Sequence, residues 1–252
     1  PSWIPFCAAV TLGGFYVIGT FHLWVPAIGS LIVSIGVIWY WLWTGTAVIP
    51  EKPAKDVGLG LALPLYRSGS RSVGWWAMLI TMLAVLTAFV SIVFAYFFYW
   101  TIHDDFPPDD VSGPGVMWPC VALALLLAAW ACQWVARRAN TRDRAGEFFA
   151  AAGAGCKFAL GGGAAIIAGP WTTQMDPTTH VYPATVWLLA IWTALHAAVG
   201  CLMTVYALAR RAAGRMTATY DIDIHNVVLF WQFVAITAVV TVGVIAGFPL
   251  VQ

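Results

Sequence analysis

Of the 252 residues, 61% are hydrophobic and only 9% are charged, against roughly 45–50% and about 25% in an average soluble domain. The 12 basic and 11 acidic side chains cannot cover the surface of a water-soluble body of this size, so a soluble fold is excluded. A net charge of +1 gives no footprint for nucleic acid, and the composition is that of an all-α, polytopic membrane protein.

Charge-free intervals place the helices, at about 20 residues per crossing. Residues 1–50 carry no Asp, Glu, Lys or Arg and hold two spans, 4–21 and 27–44. They are divided near Pro26, which cannot continue a helix from the preceding turn. Five more spans follow at 73–102, 116–136, 147–169, 183–209 and 226–249, and Lys157 alone interrupts the apolar run between 148 and 175. Open strands cannot cross lipid, and no alternating pattern suggests a barrel. The expected organisation is a two-helix pair (1–44), a connecting segment (45–72) and a five-helix bundle (73–252).

The connections sort by sign. Segment 45–72 holds Lys52, Lys55, Arg67 and Arg71; 137–146 holds Arg137, Arg138, Arg142 and Arg144; 210–225 holds Arg210, Arg211 and Arg215. The alternate connections hold Asp104, Asp105, Asp109, Asp110 and Asp176 and no basic residue. Positive charge follows the cytoplasmic side, so the expected topology has the N-terminus inside and the C-terminus outside. The segment 45–72, with Pro50, Pro53, Gly58, Gly60 and Pro64, contains nothing that reads as a helix. In the fifth span, Ala150-Ala151-Ala152-Gly153-Ala154-Gly155 and Gly161-Gly162-Gly163 suit a helix packed closely against a neighbour.

The residues that could carry chemistry are few. Cys7, Cys120, Cys132, Cys156 and Cys201 lie in apolar runs without CxxC spacing and read as small buried hydrophobes, with no disulfide framework or zinc site. A bis-histidine haem needs two imidazoles facing each other at one depth. His22, His103 and His180 lie at helix ends on one side and His225 lies near the other, leaving His196 as the one deep histidine. A surface site built from His22, His103 and His180 is conceivable; three interfacial histidines facing water is the plainer reading. Lys157, roughly 15 Å along its helix from Glu147, lies near the bilayer centre, where a charge is expensive and functional by default. No span carries an acid to pair with it. No GxSxG or Walker sequence occurs. Trp24, Trp39, Trp41, Trp43, Trp75, Trp76, Trp100, Trp118 and Trp171 fall near span ends, as interfacial anchors do.

The order of motifs along 70–245 resembles subunit III of the haem–copper cytochrome c oxidases. Phe94-Ala95-Tyr96-Phe97-Phe98 is similar to the aromatic stretch closing that family's third helix, and Pro107-Pro108, Gly115 and Trp118-Pro119 follow like its outer-loop element. Trp134 and then Asp143-Arg144 match the family's tryptophan and Asp-Arg between helices four and five. Val181-Tyr182, Leu195-His196 and Gly200 look like the sixth-helix signature, and Phe230-Trp231-Gln232-Phe233-Val234 resembles that of the seventh. Departures mark a divergent branch: Val85 stands at the family's membrane glutamate, Thr193 at the first histidine of the sixth-helix signature, Gln232 at a histidine, Ala235 at an aspartate, His225 at a glutamate, and Tyr220-Asp221 at a His-His pair.

The resemblance implies a non-catalytic core subunit of a respiratory oxidase in a bacterial cytoplasmic membrane. Such a subunit carries no haem, copper or other cofactor itself; its partners are subunit I, which reduces oxygen and pumps protons, subunit II and phospholipid, with no nucleic acid. It buttresses subunit I, holds lipid between the helix pair and the bundle, and sustains proton uptake. Arg71, Arg137 and Arg138 are the candidate lipid head-group contacts, and Glu51, Asp56, Asp143, Glu147, Asp221 and Asp223 are candidate proton-exchanging groups. A start at Pro1-Ser2-Trp3 without methionine is expected of a processed chain or of the C-terminal part of a fused subunit I/III polypeptide. The first apolar run lacks the features of a secretory signal. The alternative from another class is a transporter or channel using Lys157 and His196.

Overall fold

The structure is a computed structural model that describes residues 2–45, 49 and 54–250; Pro50, Glu51, Lys52 and Pro53 lie outside the described residues. Among the described residues seven α-helices form: α1 (Ile4–Thr20), α2 (Trp24–Gly45), α3 (Val73–Ile102), α4 (Met117–Thr141), α5 (Ala145–Thr172), α6 (Val181–Ala212) and α7 (Ile222–Val242). Six, α2 to α7, are long and apolar enough to cross a membrane, whereas α1 has 17 residues. The protein is therefore an all-α membrane protein. The chain divides into two compact units, Pro1–Glu51 and Lys52–Gln252.

In the first unit α1 and α2 pack together, turning through Phe21, His22 and Leu23 with His22 at φ 59°. Helix α2 begins at Trp24, earlier than its apolar run suggests. Pro26 sits in its first turn, where the missing N–H costs nothing because no intrahelical acceptor exists there. Across the pair, the Ser30 hydroxyl donates to the Thr11 carbonyl at 2.7 Å.

The second unit opens with an element the sequence did not announce. Ala54–Asp56 and Ala62–Pro64 pair as a short antiparallel hairpin. Gly58 and Gly60 supply positive φ in its turn, and the Asp56 carboxylate accepts from the Gly58 N–H at 2.8 Å. A single 3-10 turn at Gly69–Arg71 then leads to α3, whose first turn is capped by the Ser72 hydroxyl accepting from the Trp75 N–H at 3.2 Å.

Within the bundle α4 and α5 make the closest pairing. Ala129, Ala136, Ala152 and Ala159 are fully buried, and a Cβ at Gly162 would lie 2.8 Å from Leu126. The expected tight packing of the small-residue helix is thus met on one of its faces, against α4. Helix α7 is the most enclosed, with Trp231 and Val234 fully buried. The ends of α4, α5, α6 and α7 run past the apolar spans, so Glu147 and Asp223 stand inside first helical turns.

Candidate functional site

The basic connections of the bundle converge at one end. Tyr66 organises this end: its hydroxyl accepts from the backbone N–H groups of Asp221 and Ile222, each at 2.7 Å. Two donors at the start of α7, which lack intrahelical acceptors, are thereby satisfied. Burial is the main cause of a raised Tyr66 phenol, and the nearby Asp221 charge adds to it. The Asp221 carboxylate in turn accepts from the Ser68 hydroxyl and lies 3.1 Å from the His225 ring Nε2. Burial works to raise the Asp221 carboxyl, but these hydrogen bonds and the imidazole outweigh it and hold the group below its ordinary range. The connecting segment is in this way fastened to α7.

Tyr66, Ser68 and His225 of this fastening also line a cleft of about 620 Å³, together with Arg67, Gly69, Ser70, Arg71, Trp75, Arg137 and Thr219. Gly69 has φ 58°, and a Cβ there would lie 3.3 Å from the His225 ring, so the close approach of segment and imidazole depends on a glycine. Arg137 is braced by Trp134, the guanidinium lying 5.1 Å from the ring centroid. Three guanidinium groups and an imidazole line one polar cleft, and guanidinium forks are the donors that phosphate and carboxylate oxygens accept from.

Of the three arginines singled out in the sequence, Arg71 and Arg137 meet in this cleft, and Arg138, exposed on the next helical position, does not line it. Arg67 and His225 complete the lining and were missed as contacts. Arg67-Ser68-Gly69-Ser70-Arg71, two arginines flanking small polar residues ahead of a helix, was the available signal.

The acids of this end are committed to partners. Arg210 and Asp223 form a buried pair at 2.7 Å, Arg211 pairs with Asp143, and Arg144 meets Glu147 at 2.9 Å. Asp143 takes φ 56° in the tight α4–α5 turn, a conformation that a short polar side chain tolerates. Asp143 and Glu147 remain largely exposed; Asp221 and Asp223 do not. Glu51 lies outside the described residues.

At the opposite, acidic end, Tyr182 is buried among Tyr96 and Phe106. His103 and His180 come together with Asp105, their potential ligand atoms within 4.8 Å of one another; His22 belongs to the first unit, beside Trp24. His180 Nδ1 accepts from the Tyr182 N–H at 3.1 Å, capping α6, so the neutral ring carries its proton on Nε2, which lies 3.6 Å from the Asp105 carboxylate. A neutral imidazole that bound a cation at Nε2 would carry its proton on Nδ1 and could no longer accept from the Tyr182 N–H. The cluster as it stands is a helix cap with an exposed counter-charge. Asp176 lies below the ordinary carboxylate range because Thr178 donates to it through both hydroxyl and backbone N–H.

His196 and Lys157 lie well inside their helices, away from both charged ends. His196 Nδ1 is 2.8 Å from the Trp192 carbonyl, and its ring stacks on Trp192 with centroids 4.4 Å apart. Lys157 is exposed on α5, and no hydrogen bond links it to His196. Trp231 is fully buried and its indole N–H donates to the Thr204 hydroxyl at 3.1 Å, joining α7 to α6. Comparison of the chain with protein-family models and with curated proteins finds no match.

Proposed function

We propose that the chain is the subunit III-type component of a respiratory haem–copper cytochrome c oxidase. It is a non-catalytic membrane scaffold that supports the oxygen-reducing subunit I, binds phospholipid and sustains proton uptake; haem and copper reside in the partner chains. The orientation belongs to the same reading: the basic end faces the cytoplasm by the positive-inside rule, and the helix pair and the bundle form the two-plus-five arrangement of that family. The observation that carries it is the ordered series Trp134, Asp143, Arg144, Tyr182, His196 and Trp231. The fold uses these residues as a brace for the basic cleft, ion pairs at the α4–α5 turn and aromatic joints between helices, Tyr182 on Tyr96 of α3 and His196 on Phe233 of α7 among them.

Two further features support the reading. The cleft of Arg67, Arg71, Arg137 and His225 suits a phospholipid head group at the membrane surface, where phosphates are found. The carboxylates of Asp143 and Glu147, each paired with an arginine, stay exposed to water at the basic end, as a charged uptake surface requires. The test is oxygen consumption by an oxidase assembled without this chain. The expected result is an initial rate close to that of the intact complex, followed by progressive loss during continuous turnover. Complete loss from the first turnovers would contradict a supporting role.

A further inference from the structure

We infer that the exposed face of α5 around Lys157 docks against a transmembrane helix from outside these 252 residues, and that this helix carries an aspartate or glutamate at mid-depth. Gly146, Ala150, Gly153, Lys157, Leu160 and Ala164 recur at helical spacing along one side of α5. Leu160 is 63% exposed, and a Cβ added at Gly146 or Gly153 would meet nothing within 4 Å. The opposite side, with Ala152, Ala159 and Gly162, is buried. Helix α5 packs on α4 most closely and on α6 beside it, while the face that carries Lys157 stays exposed. Small residues let a second backbone come near, but that alone would name no partner; Lys157 does.

Lys157 stands 12 residues after Ala145 in a helix of 28, roughly 18 Å along the axis, against a hydrocarbon thickness of about 30 Å. Its four-carbon stem cannot carry the ammonium from that depth to either interface, and lipid phosphates lie at the interfaces. No hydrogen bond or ion pair joins the Lys157 side chain to any described residue. Of the 11 acids, Asp143, Glu147, Asp221 and Asp223 sit at one end of the bundle and Asp104, Asp105, Asp109, Asp110 and Asp176 at the other; Asp56 is in the hairpin and Glu51 in the polar segment before it, so no apolar span of the chain carries a mid-depth carboxylate. Residues 1–50 contain no acid at all, so α1 and α2 cannot neutralise Lys157. A second copy of this chain would bring another lysine. Charge complementarity leaves a mid-depth carboxylate on a different helix. The inference stands on Lys157 and its face, and does not require the proposed oxidase role.

The test is made on the full chain in its own membranes. Leu160 is replaced by the photo-cross-linker p-benzoyl-phenylalanine, with the same replacement at Leu195, a 57% exposed position on α6, as control. Cross-linked peptides are sequenced by mass spectrometry. The expected product from position 160 is a membrane span from outside the 252 residues with Asp or Glu within one turn of the cross-link. Lys157→Glu should lower that yield about tenfold, the effect of roughly 1.4 kcal/mol, while Lys157→Arg retains it and the yield from position 195 is unchanged. Cross-links from position 160 only to lipid, to α1 or α2, to a second copy, or to a span without a carboxylate would overturn the inference. So would a yield indifferent to Lys157→Glu.

Discussion

Replacing Gly200 with valine is expected to destabilise the bundle by about 3 kcal/mol, at the upper end of typical overpacking costs. The first carbon of any side chain at this position would lie 2.7 Å from Trp231 Cζ2 and 2.9 Å from Cε2. A flexible neighbour could yield to such an intrusion. The Trp231 indole cannot, since it is fully buried and its N–H is held by the Thr204 hydroxyl at 3.1 Å. Thr204 in turn donates to the Gly200 carbonyl at 2.8 Å, so glycine, threonine and tryptophan form one joint between α6 and α7. Thermal unfolding in mild detergent checks the effect. Gly153→Ala in the same isolated chain is the counter-case. Open space surrounds that position, and the gain in helix propensity should stabilise by about 0.5–1 kcal/mol. Equal effects at the two glycines would refute the packing account.

Arg210→Met is expected to cost about 3–5 kcal/mol, the range for breaking one side of a buried ion pair. Arg210 and Asp223 have side chains only 6% and 18% exposed and approach to 2.7 Å. Removing the guanidinium leaves a carboxylate enclosed at the start of α7 and also strips a donor from the Arg215 carbonyl. The double change Arg210→Met with Asp223→Leu should recover much of the loss, because the stranded charge is gone and the replacements are apolar. Denaturation of the two single variants and the double variant gives the coupling directly. A double variant as unstable as the sum of the singles would mean that the pair is not the source of the effect.

The helices were legible because lipid demands long uncharged runs, and all seven expected spans overlap observed helices. Their ends were less so. Charge marks where lipid stops, not where hydrogen bonding stops: α6 continues through Arg210 and Arg211 to Ala212, and α4 through Arg137 and Arg138 to Thr141. The hairpin at 54–64 escaped notice because three-residue strands give no usable periodicity, and only Gly58 and Gly60 hinted at a turn. In the cleft, Arg71 and Arg137 were readable as basic residues at helix ends. Arg67 and His225 were not, since they arrive through the hydrogen bonds of Tyr66 and Ser68 to the start of α7, contacts more than 150 residues apart in sequence. The depth of Lys157 was likewise plain from its place in the apolar run. Which way it faces was not, because α5 carries small residues on both sides and its sequence does not distinguish the buried one.

Purification of this chain from its own membranes through an affinity tag, in mild detergent, followed by metal analysis and a reduced-minus-oxidised spectrum, bears most directly on the assignment. A subunit III-type scaffold predicts recovery with oxygen-reducing activity, with copper and with haem that peptide mapping assigns to segments outside residues 1–252. Recovery without any haem–copper component, or with haem bound by these residues themselves, would contradict it.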